Sequence, residues 1–187
     1  MPRGRASTYD DQRDTIRERA AALYHYYPDK YSLLLSIADG HVSRLATLIQ
    51  DERSLALKGE ARLRHLIHRI VEEYAGAQDA HRVLTEDVKF LEPQDRERVL
   101  DKERQVVDGF AAAVSEMRAG KPSTHLSKPL TMLLFGMINW MFTWMRPDGE
   151  LDHAAMGPIV ADLFLGGISQ VTLPPTAMAG DAAYQRD

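Results

Sequence analysis

Residues 23–35 read Leu-Tyr-His-Tyr-Tyr-Pro-Asp-Lys-Tyr-Ser-Leu-Leu-Leu, and the frame of the chain follows from how this stretch is divided. Proline lacks an amide proton and biases the residue before it away from helical angles, so Tyr27-Pro28 closes whatever precedes it. Asp29 then stands where a carboxylate caps a new helix. Beyond it Leu33, Leu34, Ile37, His41, Leu45, Leu48 and Ile49 recur on one helical face.

The same period runs through the rest of the chain. Leu63, Leu66, Ile67, Ile70, Val71 and Tyr74 form one buried stripe, with Arg62, Arg64, Arg69, Glu72 and Glu73 outside it. A shorter helix is expected from about Asp79 to Leu91. A long charged one opens at Pro93, where a first turn tolerates proline, and runs to about Ala119 on a core face of Val99, Val106, Val107, Phe110 and Val114. Upstream, Asp10 to Leu23 reads as a further helix with an acidic start. No run of β-branched residues alternates with period 2, so the fold class is all-α.

Two C-terminal helices differ from the others. From about Ser127 to Met145, and again from about His153 to Ile168, apolar side chains occupy every side. One face of each must meet the core and another must meet something else, which predicts a homodimer interface within residues 127–168. The apolar run from Leu130 to Met145 contains Thr131, Asn139 and Thr143 and is shorter than the roughly 20 residues that a bilayer span needs, so no membrane partner is expected.

Of 187 residues, 44% are hydrophobic and 27% charged, with 23 basic against 27 acidic side chains. That composition suits one domain with at most a small appendage. The absence of cysteine excludes disulfides, thiolate zinc sites and a cysteine nucleophile, and a cytoplasmic location is expected. Residues 1–30 carry six basic and five acidic side chains, so a polyanion contact belongs at that end of a chain whose net charge is −4. There is no Gly-rich phosphate loop, no Gly-x-Ser-x-Gly elbow and no carboxylate pair among apolar residues, so an enzyme is not expected. Glu86, Asp87, Asp95, Glu97 and Glu103 read as exposed helix faces. His65, His68 and His81 have a spacing that could hold zinc, but arginines flank them and no metal is expected.

The Leu23–Leu35 stretch closely resembles the junction in TetR-family transcription factors at which the recognition helix of the helix-turn-helix gives way to the next helix. The runs Arg82-Val83-Leu84-Thr85-Glu86-Asp87, Phe135-Gly136-Met137-Ile138-Asn139-Trp140, Trp144-Met145-Arg146-Pro147-Asp148-Gly149 and Phe164-Leu165-Gly166-Gly167-Ile168 resemble the ligand-binding domain of those members that control fatty-acid, phenylacetate and steroid catabolism. The resemblance implies a TetR-like fold. A remnant DNA-binding domain covers residues 1–35, a ligand-binding and dimerisation domain 36–170 and a loose tail 171–187.

It further implies a repressor with two macromolecular partners, a near-palindromic double-stranded DNA operator and a second copy of the chain. There is no cofactor, and the effector is a small molecule, an acyl-CoA thioester. By the same resemblance Tyr24, His25 and Lys30 contact DNA phosphates, and the basic arm with Arg3 and Arg5 approaches the duplex. His41, Ile67, Val71, Leu84, Phe110, Met137, Asn139, Trp140, Trp144 and Arg146 are expected at the ligand site, flexible thioethers and indoles shaping an apolar slot and Arg146 facing a phosphate. Asn139 is the sharpest of these, because an amide on an apolar helix must find a partner.

The pattern breaks between Leu23 and Tyr24, where a second helix and most of the recognition helix are missing. Either two pieces of a longer chain are joined across an absent segment, which is the favoured reading, or the deletion is real. In the second case the chain is a DNA-free helical dimer that binds a ligand or a partner.

Overall fold

Asp29 starts a helix as its position suggests: Oδ1 accepts the Ser32 amide at 2.7 Å, satisfying one of the donors that a helix start leaves free. The structure, a computed structural model, describes residues 29–118, 124–145 and 149–172. The expected helix at 10–23, the positions Arg3, Arg5, Tyr24, His25 and Arg146, and most of the tail lie outside the described residues.

Six α-helices are described: α1 (Lys30–Ser54), α2 (Gly59–Gly76), α3 (Gln78–Glu86), α4 (Pro93–Met117), α5 (Ser127–Trp144) and α6 (His153–Ile168). Short 3₁₀ turns at Val88–Phe90 and Thr124–Leu126 lead into α4 and α5. No strand occurs among the described residues. The helix expected to continue to Leu91 ends at Glu86 and tightens into the first of these turns, a usual way to finish a helix just before a proline.

Helix α2 lies at the centre, against α6, α4 and α1, while α5 packs on α4 and α3 on α1. Leu63, Leu66, Ile67 and Ile70 of α2 are fully buried together with Phe110 of α4 and Leu134 and Ile138 of α5. Phe110 meets Phe135 edge to face with ring centroids 5.0 Å apart. Helices α1 and α4 approach so closely that a Cβ on Gly109 would run into the Ile49 side chain, so only glycine fits there.

Polar ties hold the ends of this core. Buried Glu52 accepts from Arg62 Nε at 3.1 Å, and Arg62 also pairs with Glu116, which joins α1, α2 and α4. Buried Arg118 donates to the carbonyls of Ile168 at 2.8 Å and Val171 at 3.1 Å, a cation at the end of α6 where the helix dipole favours one. At the other end of α1, Tyr31 donates to Asp95 at 2.6 Å and accepts from the Glu92 amide at 3.1 Å. The first turn of α1 is thereby fixed to the start of α4. Among the described residues no helix is long and apolar enough to cross a membrane.

Candidate functional site

Packing is incomplete where α1, α3, α4 and α5 converge. Val42 and Leu45 of α1, Leu84 of α3, Val106 and Val107 of α4, and Met132 and Phe135 of α5 surround a cavity of about 170 Å³. Its polar wall consists of Tyr74, His81, Thr85, Glu103 and Asn139. A broader groove of about 600 Å³ adjoins it and shares His81, Thr85 and Asn139 with it. Those three residues form the mouth between a small apolar chamber and an open channel lined by Gln78, Asp79, Arg82, Glu86 and Trp140.

Three aromatic rings converge on this mouth. Tyr74 stacks on His81 at a centroid distance of 3.6 Å, and Phe142 meets Tyr74 edge to face at 5.7 Å. Behind His81 sits His41, entirely buried, whose Nε2 lies 3.3 Å from His81 Nδ1. The other nitrogen of His41, Nδ1, lies 3.4 Å from Arg44 Nη2, and Arg44 Nε donates to Glu73 at 2.7 Å. A continuous polar line therefore runs from a surface ion pair through two buried imidazoles to the cavity.

Burial lowers both imidazoles to about 4, with Arg44 adding to the effect at His41 and His41 at His81. Both rings are neutral at pH 7. Asn139 acts on His81 in the opposite sense, favouring its charged form, yet neither His81 Nε2 nor Asn139 Oδ1 has a hydrogen bond of regular geometry. Burial pushes the Glu103 carboxyl up and, together with Glu103, raises the Tyr74 phenol well above its ordinary value.

The expected ligand residues fall into three groups. Leu84 and Asn139 line the cavity, Asn139 and Trp140 line the groove, and His41 supports His81 from behind. Ile67, Val71 and Phe110 belong instead to the closed core, and Met137 is half-buried against it. Trp144 is 55% exposed and away from both spaces. The reason is geometric: one helical stripe continues from packed core to cavity wall without a change of residue type.

Glu103 is a correction, since it is half-buried at the cavity and not part of a solvated face. Spacing along the chain groups His81 with His65 and His68, but its partner is His41, forty positions away in sequence. Periodicity within one helix carries no sign of that pairing. The arginines that flank His65 and His68 are paired: Arg62 with Glu52 and Glu116, Arg64 with Glu60 and Asp162, and Arg69 with Glu72. Among the described residues no group of three or more His, Cys, Asp or Glu side chains is placed to hold a metal.

At the far end of α1, Lys30 is exposed, on the same rigid element as the cavity and about 16 Å from His41 at 1.5 Å per residue. Large apolar side chains also face outward, Leu133, Trp140 and Trp144 on α5 and Ile159 and Leu163 on α6, with Trp140 at the edge of the groove.

Comparison with known proteins is consistent with this architecture. The family model described as tetracyclin repressor-like, C-terminal domain, matches residues 56–168. A TetR-family transcriptional regulator from Bordetella parapertussis superposes with a TM-score of 0.72 at 26% identity, covering 82% of this chain and 81% of that one. The TetR-family regulator PfmR from Thermus thermophilus gives 0.67 at 19% identity, over 78% and 80% of the two chains. A regulatory protein in the tetR family from Rhodococcus gives 0.69 at 19% identity, over 81% and 84%. A search among curated proteins finds no match.

Proposed function

The chain belongs to the tetracyclin repressor-like family of transcriptional regulators, which are not enzymes, and from that premise we propose a cytoplasmic, homodimeric repressor whose hold on its operator is set by a ligand in the α1–α3–α4–α5 cavity. Ligand-responsive DNA binding follows from the family. The remaining points are our reading. The observation that carries it is the shared helix α1, which has Lys30 at one end and Val42 and Leu45 in the cavity wall. A ligand that fits only one setting of α1 shifts the dimer between DNA-competent and DNA-incompetent geometries through its differential affinity for the two.

The effector is an acyl-CoA thioester in this reading, with the acyl group in the chamber and the remainder along the groove. What supports it is the sequence resemblance together with a small apolar chamber that opens beside polar groups. The second copy covers the outward apolar face of α5 and α6. Five large exposed side chains on two adjacent helices are what an unmet interface looks like in a monomer.

Operator recognition requires the reading helix that the sequence lacks between Leu23 and Tyr24. Two such helices in a symmetric dimer would enter successive major grooves about 34–36 Å apart. Intact mass spectrometry of the gene product tests this first. A species heavier than 21.1 kDa restores the missing segment, and 21.1 kDa leaves a DNA-free ligand-binding dimer. Binding to a near-palindromic promoter fragment should then weaken with salt, and Tyr24→Phe and Lys30→Ala should each reduce the salt slope by about 1. Unchanged affinity and slope in both variants would remove the phosphate-contact roles.

A further inference from the structure

The direction of the hydrogen bonds in the histidine line follows from its outermost member. A guanidinium only donates, so Arg44 Nη2 makes His41 Nδ1 an acceptor. The proton of a neutral His41 is then on Nε2, and it is donated to His81 Nδ1. His81 must therefore carry its own proton on Nε2, the atom that points away from His41 and has no regular partner. Were His81 charged, Nε2 would carry a proton as well. At 6% exposure, with Nε2 itself closed to water, His81 is a buried donor at the mouth of the cavity, and because its neighbour Asn139 Oδ1 does not meet it in regular geometry, a better-placed oxygen is favoured there.

The surroundings restrict the acceptor. Among the described residues no lysine or arginine lines the chamber, and Arg82 in the groove is engaged by Glu86 at 3.3 Å. Arg44 lies behind His41 and is paired with Glu73. Glu103 stands in the same wall. A carboxylate brought here would lose its hydration with no cation among the described lining residues to replace it and an acidic side chain nearby. A neutral carbonyl oxygen meets no such penalty, and Asn139 beside it complements a dipole better than a charge. Size restricts the rest of the ligand: about 170 Å³ is close to the ~150 Å³ of an engineered apolar cavity that takes one benzene molecule.

We propose that His81 Nε2–H, oriented by His41 and Arg44 and flanked by Asn139, reads the carbonyl oxygen of an uncharged ester or thioester group whose apolar part, no larger than about one ring, fills the chamber. The site deepens the effector reading above and rests on it for its regulatory meaning only. His81 touches the ligand; His41 is a positioning residue, since it fixes which nitrogen of His81 bears the proton.

The experiment uses the full chain and three probes that share one phenyl ring: methyl benzoate, benzoate and toluene, titrated by calorimetry. Methyl benzoate should bind about tenfold more tightly than toluene, the value of one well-placed buried hydrogen bond, and more tightly than benzoate. His81→Phe, which keeps a ring to stack on Tyr74, should erase the preference over toluene while leaving toluene binding intact. His81→Gln, which keeps a side-chain donor, should restore part of it. Nitrogen NMR of the histidine rings in the unaltered protein gives a reading independent of any variant. At pH 7 His81 should be protonated at Nε2 and bare at Nδ1, and methyl benzoate should move the Nε2 signal. In His41→Phe the His81 ring should become a mixture of tautomers.

Benzoate binding as tightly as the ester, an ester preference that survives His81→Phe, or a wild-type His81 protonated at Nδ1 would each overturn the proposal. Methyl benzoate binding that leaves operator affinity unchanged would strike the repressor reading alone. An operator response to some other ligand, indifferent to His81, would leave that reading standing and remove this site.

Discussion

Helix α1 obeys two packing regimes along one continuous rod. Its C-terminal half is closed against α4 and α2: Ile49 leaves no room for a Cβ on Gly109, and Glu52 is buried against Arg62. Its middle, from Val42 to Leu45, faces a chamber that its neighbours do not fill. Both halves are built from the same kinds of residue at the same period. The difference is made by what α3 and α5 bring across, namely His81, Thr85 and Asn139 in place of further aliphatic side chains. The closed half is filled by side chains, and the open half keeps space and polar groups without regular partners.

If the two regimes are distinct, substitutions should divide between them. Phe110→Ala in the closed core should cost about 3–5 kcal/mol by chemical denaturation, and Val114→Ala, fully buried on the same helix, about twice as much as Val107→Ala on the chamber wall, which has fewer neighbours to lose. Equal costs would erase the division.

Acid is the next probe. In the unfolded chain His41 and His81 take up protons near 6.5, whereas in the fold burial delays this to about 4. Folding stability is therefore complete above pH 6.5 and is lost progressively as pH falls from 6.5 toward 4. At about 1.4 kcal/mol for each pH unit by which protonation is delayed, the two rings together are worth a few kcal/mol. Arg44 sharpens this loss. Glu73 beside it and Glu103, whose raised carboxyl gains in the opposite sense, offset part of it. Denaturation midpoints at about pH 7.5 and about pH 5, on either side of the ordinary histidine value, should differ clearly in the wild type and less in His81→Phe; an unchanged difference would contradict the buried neutral pair.

Gly109→Ala should destabilise by about 1–3 kcal/mol through overpacking against Ile49. The smallest effect falls at the mouth of the open half. Asn139→Leu removes a buried oxygen that has no regular hydrogen bond and should leave stability unchanged or raise it by about 1 kcal/mol or less, while weakening ligand binding. A thermal melt and a ligand titration on the same variant would show both.

Most of the architecture was legible because period and punctuation are local properties. Asp29 and Pro93 place the starts of their helices to within a residue, the stripe from Leu63 to Tyr74 lies inside α2, and α6 has the bounds that its apolar run suggests. Asn139 was legible as well, since a polar group on an apolar helix has to be accounted for. The His41–His81 pair was not, because it joins two helices whose relative register is settled only by tertiary packing. Glu103 was hidden among the charges of α4, where the sequence does not reveal which charged face turns inward. Trp140 and Trp144 were expected at the ligand site, and that they face outward was not legible: a helix apolar on every side announces two buried faces without saying which one meets a partner.

The central claim is that occupancy of the chamber reaches DNA along α1. The affinity of the full-length gene product for a near-palindromic fragment of its own promoter, measured at fixed salt with and without a saturating aryl or short acyl thioester, tests it most directly. The account predicts a change of roughly 5- to 150-fold, the usual range for coupled sites, that His81→Phe abolishes. Operator binding that is absent, or equally tight with the ligand bound, would contradict it.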